Sequence, residues 1–132
     1  VRVVDDYAHN PAKVTAAVAT ARRAAAGGRV IAVFQPHLYS RTRDFAPEFA
    51  QALAGADEVL LAPVYPARED PIPGVTSALI AAHIDGAEVI DNVADLARAA
   101  AQRARPGDLI ITIGAGDITA LPDSVLAELG QR

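Results

Sequence analysis

The order of apolar and polar positions along the chain predicts alternating strands and helices. Short runs rich in Val, Ile and Leu alternate with stretches in which apolar residues recur every three or four positions. The predicted strands are Val1–Val4, Arg29–Gln35, Glu58–Ala62, Ala87–Ile90 and Asp108–Ile113. The predicted helices are Pro11–Ala26, Asp44–Ala54, Thr76 or Ser77 to Ile84, Asn92–Ala104 and Pro122–Leu129.

This alternation predicts an α/β fold. A strand followed by a helix, repeated about five times with right-handed crossovers, gives a Rossmann-like, mostly parallel sheet with helices on both faces. The 132 residues are enough for one domain with a real core, and no linker divides them. We therefore expect a single three-layer domain covering residues 1–132.

Composition and charge exclude several classes of protein. The net charge is −4 and the 12 basic residues are scattered, so we expect no nucleic-acid partner. No apolar run approaches the roughly 18 residues of a membrane span, so no membrane partner is expected either. Cysteine is absent, which excludes disulfides and fits a cytoplasmic setting. Methionine is absent and the first residue already belongs to a strand-like run, so we expect a piece of a longer protein.

The turn between the first strand and the first helix is a candidate ligand site. Asn10 is suited to cap the helix and Pro11 to occupy its first position. Asp5 and Asp6 are adjacent, so their side chains would point to opposite sides of the strand. One carboxylate could accept hydrogen bonds from ribose hydroxyls, while the other accepts them from backbone amides. The helix end favours phosphate, with His9 beside it. The alternative is that Asp5 or Asp6 and Asn10 only cap the helix, and that His9 is a surface residue.

Two further loops follow strands at the same edge of the predicted sheet. The loop after the second strand carries His37, Arg41 and Arg43, and an arginine fork is suited to a carboxylate or a phosphate. Solvated surface is the plainer interpretation of these arginines. The proline-rich stretch 63–74 is an irregular loop, and its sequence leaves open whether it contacts a ligand or only packs.

Other site classes fit poorly. Gly114-Ala115-Gly116 lacks the third glycine of a dinucleotide fingerprint, since Thr119 stands there, so a tight turn is favoured. A phosphorylation receiver would need a lysine after the fifth strand, but the one lysine is Lys13. No spacing is typical of a metal cluster, and His83 is expected at the surface.

Four segments together resemble a known family. Asp6-Tyr7-Ala8-His9-Asn10-Pro11 is similar to the D-x-A-H-N-P signature that opens the C-terminal domain of the Mur ligase superfamily, which includes folylpolyglutamate synthases. Three more segments, 34–43, 64–69 and 114–118, agree in order and spacing with the branch of this family that adds L-alanine. The resemblance covers essentially the whole chain.

This resemblance implies a three-domain enzyme of which the chain is the third domain. The UDP-sugar domain and the central ATPase domain are absent here, because the chain has no G-x-x-x-x-G-K-[ST] motif. The implied reaction is the ATP-dependent addition of L-alanine to UDP-N-acetylmuramate through an acyl phosphate, in peptidoglycan synthesis. The third domain would pack against the central domain, which is expected to hold the Mg ligands. No catalytic residue is expected in this chain, which would be inactive alone.

The resemblance also implies roles for single residues. Asp6 and His9 would contact ATP. Tyr7, His9, His37 and Arg41 would bind L-alanine. Because closure of the domain excludes water from an acyl phosphate, these residues are expected to act together with groups outside this chain.

The chain departs from the family pattern at one position, and two alternative functions are considered. Some relatives have an arginine where Leu38 stands, so any contact made by that side chain is absent here. The first alternative is another family member, the ligase that recycles murein tripeptide. The second is a freestanding Rossmann-like module that binds a ligand without a catalytic partner. A P-loop in the upstream coding sequence would distinguish the family enzyme from the freestanding module.

Overall fold

A computed structural model describes residues 1–130 and contains five strands and five α-helices. The strands are β1 (Arg2–Asp6), β2 (Val30–Phe34), β3 (Glu58–Leu61), β4 (Glu88–Val89) and β5 (Leu109–Ile113). The helices are α1 (Pro11–Ala25), α2 (Tyr39–Leu53), α3 (Ala78–Ala81), α4 (Val93–Arg103) and α5 (Leu121–Gly130), and a short 3₁₀ helix (Asp117–Ala120) precedes α5.

The strands form one sheet in the order β1-β5-β2-β3-β4. Every strand pair within the described residues is parallel, with Val30 opposite Leu109 at the start of the central pair. β2 and β5 are buried along their whole length, as the continuous apolar runs predicted for central strands. Helices α1, α2 and α3 pack on one face and α4 and α5 on the other, which confirms the predicted α/β class and its three layers.

Small aliphatic side chains fill both halves of the core, as the composition predicted. α1 presents a buried stripe of Val14, Ala17, Val18 and Ala21. Phe34 of β2 and Phe49 of α2 provide the large contact between sheet and helix, with ring centroids 5.2 Å apart. No helix in the described part of the chain is long and apolar enough to cross a membrane.

Asparagine side chains cap the starts of α1, as predicted, and of α4, whereas the N-cap residue of α2 makes no side-chain hydrogen bond. Asn10 Oδ1 accepts the N–H of Lys13 at 2.9 Å. Asn92 Oδ1 accepts the N–H groups of Ala94 and Asp95 at 2.8 and 3.2 Å. These contacts satisfy N–H groups that a helix leaves without internal partners.

The prediction that the second helix begins at Asp44 was wrong. α2 begins at Tyr39, so the segment expected to be a loop through Arg43 forms the first turns of a helix. The helix is kinked at Phe45, where φ is −125° and ψ is 18°. Pro47 explains the kink, because it has no N–H to give the preceding turn and its ring crowds that turn's carbonyl. The predicted start coincides with this kink.

A charged cluster of Arg29, Glu58 and Asp108 lies at the amino ends of the strands, opposite the carboxyl edge of the sheet. Arg29 bonds the carboxylates of Glu58 at 2.9 Å and Asp108 at 3.0 Å. Burial alone would raise the pKa of Asp108, but the N–H of Arg105 and the guanidinium and N–H of Arg29 outweigh it and lower that pKa. Asp108 is only 6% exposed, so its ion pair with Arg29 is largely shielded from water and stabilises the fold.

Candidate functional site

Four loop segments meet at the carboxyl edge of the sheet. They are the turn after β1, the β2–α2 junction, the loop after β3 and the glycine turn after β5. In open α/β sheets, the crevice outside the carboxyl ends of the strands is where ligands bind. The four segments that carried the family resemblance therefore lie together in space.

The two aspartates after β1 have different partners. Asp5 Oδ1 accepts the hydroxyl of Thr112 on β5 at 2.6 Å. Asp6 Oδ1 accepts the N–H of Ala8 at 2.8 Å. Asp6 rather than Asp5 therefore accepts the backbone amide of the turn, and neither residue caps α1. Of the capping alternative, the part concerning Asn10 is observed, since its side chain caps α1, whereas the hydrogen bonds of the Asp5 and Asp6 side chains go to Thr112 and Ala8.

A cleft of about 410 Å³ opens between this turn and the exposed side of α1. Its walls are Asp6, Tyr7, Ala8, His9, Lys13, Ala16, Ala17 and Thr20. Tyr7 is 66% exposed, so its ring is free to meet a ligand. Lys13 and Thr20 were not predicted as wall residues, although Lys13, Ala16 and Thr20 recur every three or four positions along α1 and therefore share one side of it. Lys13 adds a positive charge beside the helix end.

His9, His37 and Arg41 come together across two loops. The rings of His9 and His37 are 5.9 Å apart, and Arg41 Nη1 lies 3.5 Å from the carbonyl oxygen of His9. Arg43 does not join them: it is exposed and pairs with Asp44 at 2.9 Å. The structure thus separates two arginines that the composition of the loop does not distinguish, and the one near His9 is Arg41, which the family resemblance had selected.

His37 has a distinctive environment. Its Nδ1 is buried and has no hydrogen-bond partner within the described chain. Burial lowers the pKa of His37, and the nearby charges of Arg41 and His9 lower it further. A neutral imidazole beside Arg41 can accept a hydrogen bond from an ammonium group, whereas the guanidinium is suited to a carboxylate.

The proline-rich loop packs directly on the β2–α2 junction. Tyr65 donates its N–H to Pro36 O and accepts the N–H of Leu38, both at 2.8 Å. The ring of Tyr65 lies 5.4 Å from that of His37. Farther along, Glu69 accepts hydrogen bonds from Ser40 at the start of α2. The sequence left open whether the proline-rich loop contacts a ligand or only packs. The structure shows that it packs against the β2–α2 junction.

Gln35 joins three of the four segments. Its Nε2 donates to Pro63 O at 3.2 Å, and its Oε1 accepts the N–H of Ile118 at 3.1 Å. The residue is 4% exposed, so both bonds are shielded from water. A Cβ on Gly116 would lie 2.4 Å from the ring of Tyr65 and 2.8 Å from Gln35 Oε1. The glycine turn therefore permits close packing, and no cue in the sequence marked Gln35 as its partner.

No three His, Cys, Asp or Glu side chains within residues 1–130 are grouped so that they could hold a metal ion. His83, expected at the surface, is exposed near the end of α3. Apart from Asp6, the polar side chains of the candidate site are neutral or cationic, which suits anionic and zwitterionic ligands.

The model of the family "Mur ligase, glutamate ligase domain" matches residues 1–116. The chain belongs to this family, which confirms the resemblance drawn from the four motifs.

The relatives point to one branch. The chain is 58% identical over 125 residues to the UDP-N-acetylmuramate–L-alanine ligase of Cutibacterium acnes, a match that covers 90% of this chain and 26% of that protein. It is 51% identical over 133 residues to the enzyme of the same name from Streptomyces griseus, covering 98% of this chain and 28% of that protein. The chain thus spans about a quarter of the length of these relatives.

A solved structure has the same fold and nearly the same extent. It is a domain assigned to a UDP-N-acetylmuramate:L-alanyl-γ-D-glutamyl-meso-diaminopimelate ligase of Haemophilus ducreyi, with a TM-score of 0.72 and 26% identity. The match covers 96% of this chain and 89% of that chain. A domain of this size can therefore be studied by itself.

Proposed function

We propose that this chain is the amino-acid-presenting domain of a UDP-N-acetylmuramate–L-alanine ligase. The whole enzyme would join L-alanine to UDP-N-acetylmuramate at the expense of ATP, through an acyl phosphate. Support comes from the relatives of this name, which are 47–58% identical over nine-tenths or more of this chain. Their greater length supports the expectation that the UDP-sugar and ATPase domains belong to the rest of the protein.

One observation carries the role of the site: Arg41 and His37 face the turn after β1 across the sheet edge. Arg41 Nη1 lies 3.5 Å from His9 O, and the imidazoles of His9 and His37 are 5.9 Å apart. An α-amino acid carries a carboxylate and an amine a few ångströms apart. We assign its carboxylate to Arg41, with Tyr7 closing over it and the two histidines facing the amine.

The cleft beside α1 is assigned to ATP. Asp6 uses one carboxylate oxygen for Ala8, which leaves the other free to accept ribose hydroxyls. His9 and the single lysine, Lys13, lie where the helix end favours phosphate. These residues fit a nucleotide. We assign the protein ligands of the Mg that accompanies ATP to the central domain, as the family resemblance implies.

The residues of this chain bind and orient ATP and L-alanine, and they exclude water from the acyl phosphate. An acyl phosphate must be protected from hydrolysis until an amine is aligned with it, which requires the domain to close. Holding the amine next to the reacting carbon converts a bimolecular encounter into a positioned one. By this account the chain has no catalytic residue of its own, and it is inactive when isolated.

The test is an assay of the full-length protein with ATP and UDP-N-acetylmuramate. Formation of the alanyl product from L-alanine is expected, whereas the isolated 132-residue chain should form none. The Haemophilus ducreyi domain makes the tripeptide-recycling ligase the runner-up. Turnover with the tripeptide L-alanyl-γ-D-glutamyl-meso-diaminopimelate and not with L-alanine would replace the proposal with that alternative. Absence of a P-loop upstream would favour a freestanding binding module.

A further inference from the structure

We propose that Glu69 is a positioning residue of the candidate site. It caps the N-terminus of α2 from a different loop and thereby fixes the place of Arg41. The inference deepens the proposed function, since it rests on Arg41 as the carboxylate-binding residue.

The start of α2 lacks the cap that a helix ordinarily takes from its own sequence. Leu38 occupies the N-cap position, and it offers no side-chain hydrogen bond. Its φ of 73° is in the left-handed region, where leucine is strained. A helix start of this kind needs support from elsewhere, because its first N–H groups have no partners within the helix.

Glu69 supplies that support. Its Oε1 accepts the N–H of Ser40 at 3.0 Å, and its Oε2 accepts the hydroxyl of the same residue. The two bonds from Ser40 are the main reason that the pKa of Glu69 is lowered, with smaller contributions from the N–H of Tyr39 and from Arg43. The carboxylate is therefore charged at neutral pH, and a negative charge at a helix N-terminus is favourable.

Glu69 is itself held in place. Its N–H donates to Pro66 O at 2.9 Å, which closes a turn in the proline-rich loop. Two backbone hydrogen bonds of Tyr65 anchor the same loop to the β2–α2 junction. A rigid turn thus carries the carboxylate to the helix start, and a carboxylate tied to a rigid turn orders the helix that it caps.

Arg41 follows Ser40 directly, so its backbone lies in the turn that Glu69 caps. Loss of the cap would let this turn fray, and the guanidinium would lose its place opposite His9. Glu69 also fills the positive end of α2 with a charge of the protein's own. An incoming carboxylate therefore meets Arg41 and not the bare helix end.

The first test is hydrogen exchange on the isolated 132-residue chain. Thr42 donates its N–H to Leu38 O at 3.1 Å, which makes this amide a reporter of the first turn. Glu69→Ala should speed its exchange roughly fivefold, since loss of a helix cap costs about 1 kcal/mol. Asp70→Ala is the control, because Asp70 is the exposed acidic neighbour. Glu69→Gln, which keeps an acceptor oxygen, should recover part of the protection and covers the case in which Glu69→Ala fails to fold.

The second test is steady-state kinetics of the full-length enzyme. Glu69→Ala should raise the KM for L-alanine roughly tenfold, because a small misplacement of a binding group is costly. The KM for UDP-N-acetylmuramate should stay unchanged, as should both constants in Asp70→Ala. Unchanged exchange at Thr42 would overturn the proposal, and so would faster exchange with an unaltered KM for L-alanine. Faster exchange in an enzyme that does not use L-alanine would support the capping role while refuting the proposed substrate.

Discussion

Gly116→Ala is expected to disrupt the packing that holds the candidate site together. The new Cβ would lie 2.4 and 2.7 Å from two ring atoms of Tyr65 and 2.8 Å from Gln35 Oε1. Ordinary contacts between carbon atoms are about 3.5–4.0 Å, so the ring must move by roughly 1 Å. The buried Gln35 cannot yield without loosening its bonds to Pro63 and Ile118. Overpacking of this kind costs about 1–3 kcal/mol.

The matched control is Gly130→Ala. A Cβ at Gly130 meets nothing within 4 Å, and Gly116 itself has a φ of −102°, so neither substitution tests a glycine-only φ. Each Gly→Ala substitution lowers the conformational entropy of the unfolded chain by a similar amount. This contribution therefore cancels when the melting temperatures of the two variants are compared. For a domain of this size, about 2 kcal/mol corresponds to a melting temperature roughly 6–10 °C lower.

The assay is thermal unfolding of both variants, with the His37 ring resonances followed by NMR. The ring of Tyr65 lies 5.4 Å from that of His37, so a displaced tyrosine should shift the His37 signals in Gly116→Ala alone. Equal melting temperatures for the two variants, with unchanged His37 signals, would refute the view that the glycine turn packs the site.

Three further predictions concern charge and ligands. Asp108→Asn should destabilise the chain by roughly 2 kcal/mol at pH 7, because the partners Arg29 and Arg105 lose a charged acceptor. Since the pKa of Asp108 is lowered on folding, its stabilisation is present above the unfolded value of about 4 and lost as the pH falls below it. The gap in melting temperature between this variant and the parent chain should therefore shrink at pH 3, and a constant gap would contradict the assignment. The His37 imidazole should titrate below about 6.5, and its pKa should rise in Arg41→Ala, because one of the charges that lower it is gone; NMR titration checks both, and an unchanged pKa would contradict the contact. The isolated chain should bind ATP and L-alanine only weakly by calorimetry, because each site is completed by other domains, and micromolar affinity for either would contradict a shared site.

The fold was predictable because its signals are local. The cap at Asn10 and the continuous apolar runs of β2 and β5 act through neighbours in sequence or through burial. They gave the class, the layers and most of the element positions. The first strand was placed too early, since β1 ends at Asp6 and includes both aspartates. The two aspartates end the strand at the carboxyl edge of the sheet, where the chain leaves the core.

The start of α2 was not predictable from local signals. The N-cap position holds Leu38, and the capping carboxylate comes from Glu69, which lies 29 residues beyond Ser40. A sequence window around Tyr39 contains no trace of that contact. The composition of the loop alone does not distinguish Arg41 from Arg43, although of these two only Arg41 faces the turn after β1. The family resemblance, and no local signal, selected Arg41. The contacts of Gln35 are also long-range and escaped notice.

Kinetics of Arg41→Ala in the full-length enzyme test whether Arg41 binds the carboxylate of L-alanine, with Arg43→Ala as the matched control. Arg43 lies on the same helix, is exposed and pairs with Asp44. A hydrogen-bonded charge pair contributes about 1.5–3 kcal/mol, so loss of Arg41 should raise the KM for L-alanine roughly 10- to 150-fold. The KM for UDP-N-acetylmuramate should change less than about twofold, and Arg43→Ala should alter neither constant. Equal increases in both KM values, or equal effects of the two arginines, would contradict the account.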